Sequence, residues 1–319
     1  MPRIVIPDDA PPVMAPSAAY RKLLVRTPVD YYDTLPGNED QLIERIAHAG
    51  IVINIRSSTR FGESVFTRCP QLRLLSLWGT GTDNVDLRAA ARHGVTVTNT
   101  PGVSAFSIAE HSLALMLAVA RRIPHVDAEV RHGRWPHGQA AQMHGKTLGI
   151  IGLGAVGRQF ARLGAGIGMR IIAWTMHPNP ALGVELVPLD DLLHSSDVVS
   201  LHLRLSAETR GFIGKRELEK MKPTAILINT ARGAIVDESV LLEALAAGRI
   251  AGAGLDVFES EPLLNGHPLT RMENVVLTPH SAGVTPEALE AGLELSIENV
   301  WNFLDGRPTN VVASGDGDR

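Results

Sequence analysis

Three side chains in the second half of the sequence are of the types that proton transfer and anion binding require. Arg232, Glu261 and His280 each follow a short apolar run that predicts a strand. Histidine titrates near neutral pH and can act as a general acid or base, while a neighbouring carboxylate would orient its ring and stabilise the imidazolium. An arginine fork matches a carboxylate. Singly, each could be an ordinary loop or surface residue, but together they suit hydride transfer at a 2-hydroxy or 2-oxo carbon.

A glycine-rich turn earlier in the chain predicts a dinucleotide site. The turn Gly152-Leu-Gly-Ala-Val-Gly157 lies between an apolar run ending at Ile151 and a helical stretch. Gly152 allows a tight turn, Gly154 lets the backbone approach a pyrophosphate, and Gly157 permits close packing of helix on strand. The helix N-terminus supplies N–H groups and a positive dipole end. A plain connecting turn is less favoured, and a P-loop hydrolase is excluded because no Lys-Ser or Lys-Thr follows the glycines.

The strand after this turn lacks the acidic residue that binds the adenosine ribose in many dinucleotide sites. That residue is expected about 20 positions after the glycines. Here the strand ending at Trp174 is followed by Thr175-Met-His-Pro, and the next carboxylate is Glu185. Thr175 can hydrogen-bond a ribose, and a protonated His177 would favour a 2′-phosphate. NAD and NADP therefore both remain open.

Short apolar runs alternate with helical stretches along the chain, which predicts an α/β fold with parallel sheets and covering helices. The strands form an early and a late set, so two sheets are expected. The predicted strands are 4–6, 51–55, 72–77, 95–98, 147–151, 170–174, 198–203, 225–228, 252–257 and 275–277. Ligands of open parallel sheets bind at the carboxyl ends of the strands, so the three side chains and the glycine turn are expected to share one cleft.

A helix predicted from about Ser104 to Arg121 is apolar on all sides in its middle. Ser107 and Glu110 have the spacing of a capping box at its start. Such a helix is buried in the core or between subunits, and we favour a dimer contact.

Little periodicity is visible between that helix and Thr147. The four histidines of this segment lack the spacing and the carboxylate or thiolate neighbours of a metal site, so no metal is expected. These histidines are His125, His132, His137 and His144.

Composition limits the range of partners. The 319 residues are about two domains' worth, and 30 basic against 34 acidic residues give a net charge of −4, so neither nucleic acid nor an anionic membrane is an expected partner. Cys69 is the only cysteine, which excludes an internal disulfide framework and favours a reduced, cytoplasmic setting. No apolar run approaches the roughly 18 residues of a membrane span.

A series of motifs runs through residues 51–311. They are Gly79-Thr-Gly-Thr-Asp-Asn-Val-Asp86, Asn99-Thr-Pro101, Ser107-Ile-Ala-Glu-His111, Gly145-Lys-Thr-Leu-Gly-Ile-Ile-Gly-Leu-Gly-Ala-Val-Gly157, Leu201-His202, Asn229-Thr-Ala-Arg-Gly-Ala-Ile-Val-Asp-Glu238, Gly254-Leu-Asp-Val-Phe-Glu-Ser-Glu-Pro262 and Thr278-Pro-His280. With these motifs in this order, the sequence resembles the D-isomer-specific 2-hydroxyacid dehydrogenase family.

The resemblance implies a role for each matching residue. Arg232, Glu261 and His280 correspond to the family's catalytic set, with His280 the proton donor in reduction, and Asp256 corresponds to the residue that holds the nicotinamide carboxamide. The implied cofactor-binding residues are Thr80, Gly152, Gly154, Ala155, Val156, Gly157, Thr175, Leu203, Arg204, Thr230, Ala231, Asp256, Ser281 and Gly283. The implied substrate-binding residues are Arg56, Trp78, Gly79 and Arg232.

The resemblance also implies the domain arrangement. Residues 1–100 and 285–319 would form a discontinuous, flavodoxin-like substrate domain, and residues 101–284 a Rossmann-type NAD(P)-binding domain inserted in it. The family implies a homodimer joined through the helix after Asn99.

Departures from the family pattern bear on the substrate. Phosphoglycerate dehydrogenases often carry an arginine where this chain has Leu77-Trp78, although Arg56 matches another phosphate-reading position. Trp78 suggests a substrate with an apolar or flat side chain, and Trp135 resembles a tryptophan that in glyoxylate reductases reaches the partner's site. Core packing is an equal alternative for both.

We therefore expect a cytoplasmic NAD(P)-dependent enzyme that interconverts a small 2-oxo acid and its D-2-hydroxy acid. The alternatives are a D-3-phosphoglycerate dehydrogenase and a non-catalytic, NAD(H)-sensing binding protein resembling the C-terminal-binding corepressors.

Overall fold

The computed structural model describes residues 1–179 and 183–315. Within it the chain forms two compact units, Met1–Ser104 together with the chain from Thr285 onward, and Ala105–Val284. The last four residues of the predicted second part of the substrate domain, 316–319, lie outside the described residues.

Both units are built from strands and helices that alternate along the chain. The elements before residue 104 are β1 Ile4–Ile6, α1 Ala18–Arg26, β2 Val29–Tyr31, α2 Glu39–Ile46, β3 Ile51–Asn54, α3 Glu63–Arg68, β4 Leu74–Leu77, α4 Leu87–Arg92 and β5 Thr96–Thr98. The second unit contains α5 Ala105–Ala120, α6 Ile123–Arg131, β6 Thr147–Ile151, α7 Ala155–Gly166, β7 Arg170–Trp174, β8 Glu185–Leu186, α8 Leu189–Ser195, β9 Val198–Leu201, α9 Lys215–Lys220, β10 Ile226–Asn229, α10 Glu238–Ala246, β11 Gly252–Leu255 and β12 Val275–Leu277. The chain ends with α11 Pro286–Leu304 and β13 Val311–Ala313.

The first unit is a six-stranded sheet in the order β13-β5-β4-β3-β1-β2. The strands are parallel except β13, which is antiparallel to β5. Successive side chains point to opposite faces, so Val5 packs with α2, α3 and α4, whereas Ile4 and Ile6 pack with α1 and α11. Burial on both faces explains why these strands are continuous apolar runs.

The second unit is a seven-stranded, fully parallel sheet in the order β12-β11-β10-β9-β6-β7-β8. The chain runs outward from β6 through β7 and β8, then returns to β9 on the other side of β6. The order therefore reverses between β6 and β9, which is where sheets of this kind bind their ligands, beyond the carboxyl ends of the strands. The predicted α/β class with parallel sheets is confirmed.

Helix α5 packs unusually close to strand β11. A Cβ atom added to Gly254 would lie 2.9 Å from Cβ of Leu115, and one added to Gly252 would lie 2.9 Å from a methyl group of Val119. Because the two glycines have no side chains, the helix rests directly on the strand.

Some predicted element boundaries were wrong. Helix α5 begins at Ala105, so Ser107 lies inside it and does not cap it. The segment expected to lack periodicity contains α6, which starts after Arg122 in a left-handed conformation (φ 52°) and buries none of its residues. Strands β9 and β11 end at Leu201 and Leu255, two residues early, because the chain turns there into the loops that carry the candidate site. Among the described residues, no helix is both long and apolar enough to cross a membrane.

Candidate active site

His280 lies in a strained turn directly after β12. Its φ angle of 53° is in the left-handed region, which non-glycine residues seldom adopt. Its backbone N–H donates to the carbonyl of Asp256 (2.7 Å), which fixes the turn. Nδ1 of His280 lies 2.7 Å from Oε2 of Glu261, and both side chains are roughly one-third exposed. The pair can therefore reach a small molecule.

Glu261 is held from two sides. Its Oε1 accepts the backbone N–H of Phe258 (3.0 Å), and Oε2 faces His280. Burial alone would raise the pKa of Glu261, but the hydrogen bonds from His280 and Phe258, with the charges of His280 and Arg232, outweigh it and hold that pKa below its usual value. An ionised carboxylate only accepts, so Nδ1 of His280 carries a proton and Nε2 is the nitrogen that can exchange one with a ligand.

Arg232 is positioned by the turn after β10. The buried side chain of Asn229 organises that turn, since its Oδ1 accepts the N–H of Ala231 (3.0 Å) and its Nδ2 donates to the carbonyl of Arg232 (2.9 Å). The next residue, Gly233, has no room for a Cβ, which would overlap the backbone of Phe258. The Arg232 turn and the loop leading to Glu261 therefore touch backbone to backbone.

Asp256, at the end of β11, is fully buried and acts on the His280 turn. Its Oδ1 accepts the hydroxyl of Thr278 (2.6 Å) and the N–H of Ser281 (2.9 Å), and its Oδ2 accepts the N–H of Ala282 (2.9 Å). Two oxygens offer about four lone-pair positions, so one on Oδ2 remains for a further donor. The structure thus gives Asp256 a holding role that its type and position alone did not predict.

The glycine turn has the geometry of a phosphate site. Gly152 has a φ angle of 100°, and a Cβ there would lie 2.6 Å from the carbonyl oxygen of His202. A Cβ on Gly157 would overlap the carbonyl of Gly152, whereas one on Gly154 would meet no protein atom within 4 Å. The amides of Ala155, Val156 and Gly157, in the first turn of α7, have no partner within the helix. The residues present therefore fit a dinucleotide, whose phosphates would lie in the space beside Gly154.

The sequence predicts the adenosine end of this site beyond β7. Thr175 follows the strand and is half-buried, and His177 is exposed. Glu185 forms an ion pair with Arg170 (2.9 Å), the first residue of β7, and is thereby directed away from the glycine turn. Leu203, after β9, lies beside the turn, with Cδ2 3.1 Å from the Cβ position of Gly152.

The other predicted cofactor residues of this unit occupy the loops after the same strands. Arg204 follows Leu203 and is exposed, while Thr230 and Ala231 precede Arg232; the Thr230 hydroxyl lies 2.9 Å from that of Ser112 on α5. Ser281 and Gly283 belong to the turn bound by Asp256.

His202 was part of a sequence motif but had no assigned role. Its Nε2 lies 2.9 Å from the hydroxyl of Ser200, its ring packs edge-on against Phe160, and burial lowers its pKa to about 3. A neutral ring therefore fills the space behind the glycine turn, while the carbonyl of the same residue faces Gly152.

In the first unit, three predicted site residues follow β4. Gly79 has a φ angle of 115°, and its N–H donates to Oγ1 of Thr100 (2.7 Å). The hydroxyl of Thr80 donates to the carbonyl of Thr100 (3.3 Å). The indole of Trp78 packs against Gly292 of α11, where a Cβ would overlap it.

Arg56 follows β3 and is held within its own unit. Its Nη2 donates to the carbonyl of Pro11 and lies 3.9 Å from Oδ1 of Asp9. Asp9 is fully buried and also accepts the amides of Val13 (2.8 Å) and Met14 (2.9 Å). The charge of Arg56 is thus balanced by a buried carboxylate.

Residues 113–282 match the model of the NAD binding domain of D-isomer specific 2-hydroxyacid dehydrogenases. The chain is 41% identical to a glyoxylate reductase of Korarchaeum cryptofilum over 88% of this chain and 87% of that one. It is 40% identical to a D-3-phosphoglycerate dehydrogenase of Archaeoglobus fulgidus over 85% of this chain but only 52% of the relative. A crystal structure of a glyoxylate reductase from Paecilomyes thermophila superposes with a TM-score of 0.88 at 29% identity, covering 98% of each chain.

Proposed function

The chain belongs to the D-isomer specific 2-hydroxyacid dehydrogenase family and is an NAD(P)-dependent oxidoreductase, and from this premise we propose that it interconverts a small, unphosphorylated 2-oxo acid and the corresponding D-2-hydroxy acid. The observation that carries the proposal is the 2.7 Å contact between His280 and Glu261, formed beside the turn of Arg232.

The three side chains divide the chemistry among them. When bound, the dinucleotide supplies the hydride that reaches C2 of the oxo acid. His280 donates the proton from Nε2 to the oxo oxygen, so the C=O double bond becomes a C–O single bond, with a new C–H bond at C2 and a new O–H bond. Glu261 stabilises the imidazolium beforehand and keeps the ring oriented. Arg232 binds the substrate carboxylate through its planar fork and polarises the oxo group.

For the cofactor we propose the loops at the carboxyl edge of the second unit's sheet. The phosphates lie at the N-terminus of α7 beside Gly154, Thr175 receives the ribose, and the last lone pair of Asp256 receives the nicotinamide carboxamide. Because Glu185 is paired with Arg170, it does not supply a carboxylate to the adenosine ribose. A ribose site without a carboxylate accommodates both NAD and NADP.

The environment of Arg56 supports an unphosphorylated substrate. A phosphate would have to compete for this guanidinium with the carbonyl of Pro11 and the buried charge of Asp9. After β4 the chain has Trp78 where many phosphoglycerate dehydrogenases have an arginine, so a second cation for a phosphate is lacking there. The backbone at Gly79 could bind a substrate carboxylate, but it adds no positive charge. The D-3-phosphoglycerate dehydrogenase alternative is therefore not favoured. A non-catalytic dinucleotide sensor is not favoured either, because the relatives that match most of this chain are named as reductases and dehydrogenases.

We also propose a homodimer in the cytoplasm. Helix α6 buries none of its residues, and Ile123, Val130 and Trp135 are 53%, 43% and 74% exposed. Apolar side chains in one segment are typical of a subunit contact. The cytoplasm is favoured because the sequence has a single cysteine, Cys69, which cannot form an internal disulfide. Light scattering coupled to gel filtration tests the dimer, since a chain that elutes as a monomer contradicts it.

The activity is tested by oxidation of NADH and NADPH in the presence of glyoxylate, hydroxypyruvate, pyruvate or 3-phosphohydroxypyruvate. We expect turnover with an unphosphorylated acid, and loss of turnover in His280→Ala with cofactor binding retained. The exposed His137→Ala is the matched control. Turnover restricted to the phosphorylated acid would contradict the substrate proposal, and near-normal turnover in His280→Ala the mechanism.

A further inference from the structure

A chain of hydrogen bonds behind the His280 turn begins on helix α5. Nε2 of His111 lies 2.8 Å from Oγ1 of Thr278, and that hydroxyl lies 2.6 Å from Oδ1 of Asp256. The His111 side chain is 23% exposed and the Asp256 side chain 1%. A helix near the start of the second unit is thereby connected to the turn near its end.

The direction of each bond follows from counting protons. The Asp256 carboxylate accepts only, so Thr278 must give its single hydroxyl proton to it. Oγ1 of Thr278 then has no proton left for His111, and Nε2 of His111 must be the donor. This nitrogen carries a proton both in one neutral tautomer and in the imidazolium, so the bond can exist in either charge state. A charged ring would lie 3.6 Å from Oδ1 of Asp256 and would further stabilise the carboxylate.

The turn that receives these bonds needs to be held. His280 adopts its left-handed conformation while its own N–H is bonded to the carbonyl of Asp256 and the next two amides are bonded to the carboxylate of the same residue. A backbone in this region costs free energy that the surroundings must offset. If Asp256 turned away from Thr278, the ring of His280 would lose its alignment with Glu261.

Helix α5 is a rigid base for the first donor. Gly252 and Gly254 let it pack closely on β11, the strand that directly precedes Asp256. A Cβ at Gly254 would lie 2.9 Å from Cβ of Leu115 and 3.5 Å from its backbone carbonyl carbon, so His111 and Asp256 belong to two tightly packed elements.

We propose that His111 is a positioning residue for the reaction: through the hydroxyl of Thr278 it holds Asp256, and Asp256 holds the turn that aims His280 at the substrate. The inference rests on the proposed function, because it assumes that His280 exchanges the proton. His111 itself does not touch the reacting atoms.

The test compares variants that keep or remove the donor. His111→Leu removes it, whereas His111→Gln retains an N–H at the position of Nε2. His125→Leu, the same change on the neighbouring helix α6, is the control. The readouts are kcat and KM for glyoxylate, the dissociation constant of the reduced cofactor measured by its fluorescence, and the melting temperature.

We expect kcat of His111→Leu to fall about 10- to 100-fold, the range expected when a reacting group is displaced by a fraction of an ångström to an ångström. KM for glyoxylate should change less than about twofold, because Arg232, which binds the substrate carboxylate in the proposed function, is untouched. The cofactor dissociation constant should rise, because Asp256 also receives the nicotinamide carboxamide there. His111→Gln should recover most of kcat, and His125→Leu should equal the native chain.

Three results would overturn the proposal. Unchanged kcat in His111→Leu would show that the turn holds itself. Equal losses in Leu and Gln variants would mean that the donor does not matter. A raised KM at unchanged kcat would make His111 a substrate ligand.

If His111→Leu fails to fold, Thr278→Val and Thr278→Ser decide the question, since they remove and keep the same link without altering α5. The parallel His280→Ala variant separates the two hypotheses: if it retains turnover the proposed function fails, whereas a failure confined to the His111 and Thr278 variants concerns the positioning role alone.

Discussion

Desolvation of the His202 ring makes the stability of the second unit depend on pH in a way that one substitution can isolate. In the folded chain burial lowers the pKa of His202 from its ordinary 6.5 to about 3. The unfolded chain therefore binds a proton in mildly acidic solution that the folded chain does not, and the free energy of unfolding falls as the pH decreases. The chain has its full free energy of unfolding when the pH is above the ordinary pKa of histidine. It loses that free energy progressively as the pH falls below this pKa.

The size of the effect follows from linkage. Between about pH 7 and about pH 5, protonation of the unfolded side chain alone lowers the free energy of unfolding by about 2 kcal/mol. His202→Gln keeps a hydrogen-bonding group near Ser200 but cannot titrate, so its loss over the same interval should be smaller by about 2 kcal/mol. The groups other than His202 titrate in both proteins and cancel in the difference.

The assay is urea unfolding followed by circular dichroism at both pH values. His194→Gln, which replaces an exposed histidine of α8, serves as the control and should lose as much stability as the native chain. If His202→Gln and the native chain lose equal free energy, the imidazole is not held neutral, and the reasoning about the space behind the glycine turn is refuted.

Three further changes test the contacts that support the site. In Gly233→Ala the new Cβ would force the Arg232 turn away from Phe258, so kcat/KM for glyoxylate should fall about 100-fold while the cofactor dissociation constant stays within about twofold in a fluorescence titration. Gly154→Val places a side chain where phosphates would lie, and it should weaken cofactor binding at least about 10-fold without lowering the melting temperature; unchanged binding would contradict the phosphate site. Glu238 accepts from His267 (3.1 Å) and from the N–H of Glu259 (3.2 Å), so Glu238→Gln should lower the stability by about 1 kcal/mol, seen as a shift of about 2–4 °C in the melting temperature.

Most of the strands that the sequence predicted are buried on both faces. Strands such as β3 and β9 are short and mainly apolar, so their positions were predicted to within a few residues. The edge strand β12 was also predicted, because its three residues are all apolar although none is fully buried. The three strands that were missed, β2, β8 and β13, have two or three residues each and include no buried side chain. Edge strands of this kind depend on pairing with a neighbour, which a local pattern does not reveal.

The candidate site also has some features that the local sequence predicts and others that depend on contacts between distant residues. The glycine spacing 152–157 is local, and the sequence alone was sufficient to assign each glycine a geometric reason. The bonds on Asp256 come from backbone amides 25 and 26 residues away, and backbone amides carry no residue-type signal. His111 is 167 residues from Thr278, and only the fold brings the two together. Its presence in a motif was the one available signal, but it did not indicate a partner.

The two glycines of strand β11, Gly252 and Gly254, restrict how this protein could be altered by selection or engineering. A Cβ at Gly252 would lie 2.4 Å from the carbonyl oxygen of Asn274, and one at Gly254 would lie 2.9 Å from Cβ of Leu115. A shorter side chain on α5 would relieve neither clash, so libraries aimed at this strand should yield few folded members. Changes of substrate range are better sought in the loops that follow the strands, at positions other than Gly152 and Gly233, where a Cβ would overlap backbone atoms.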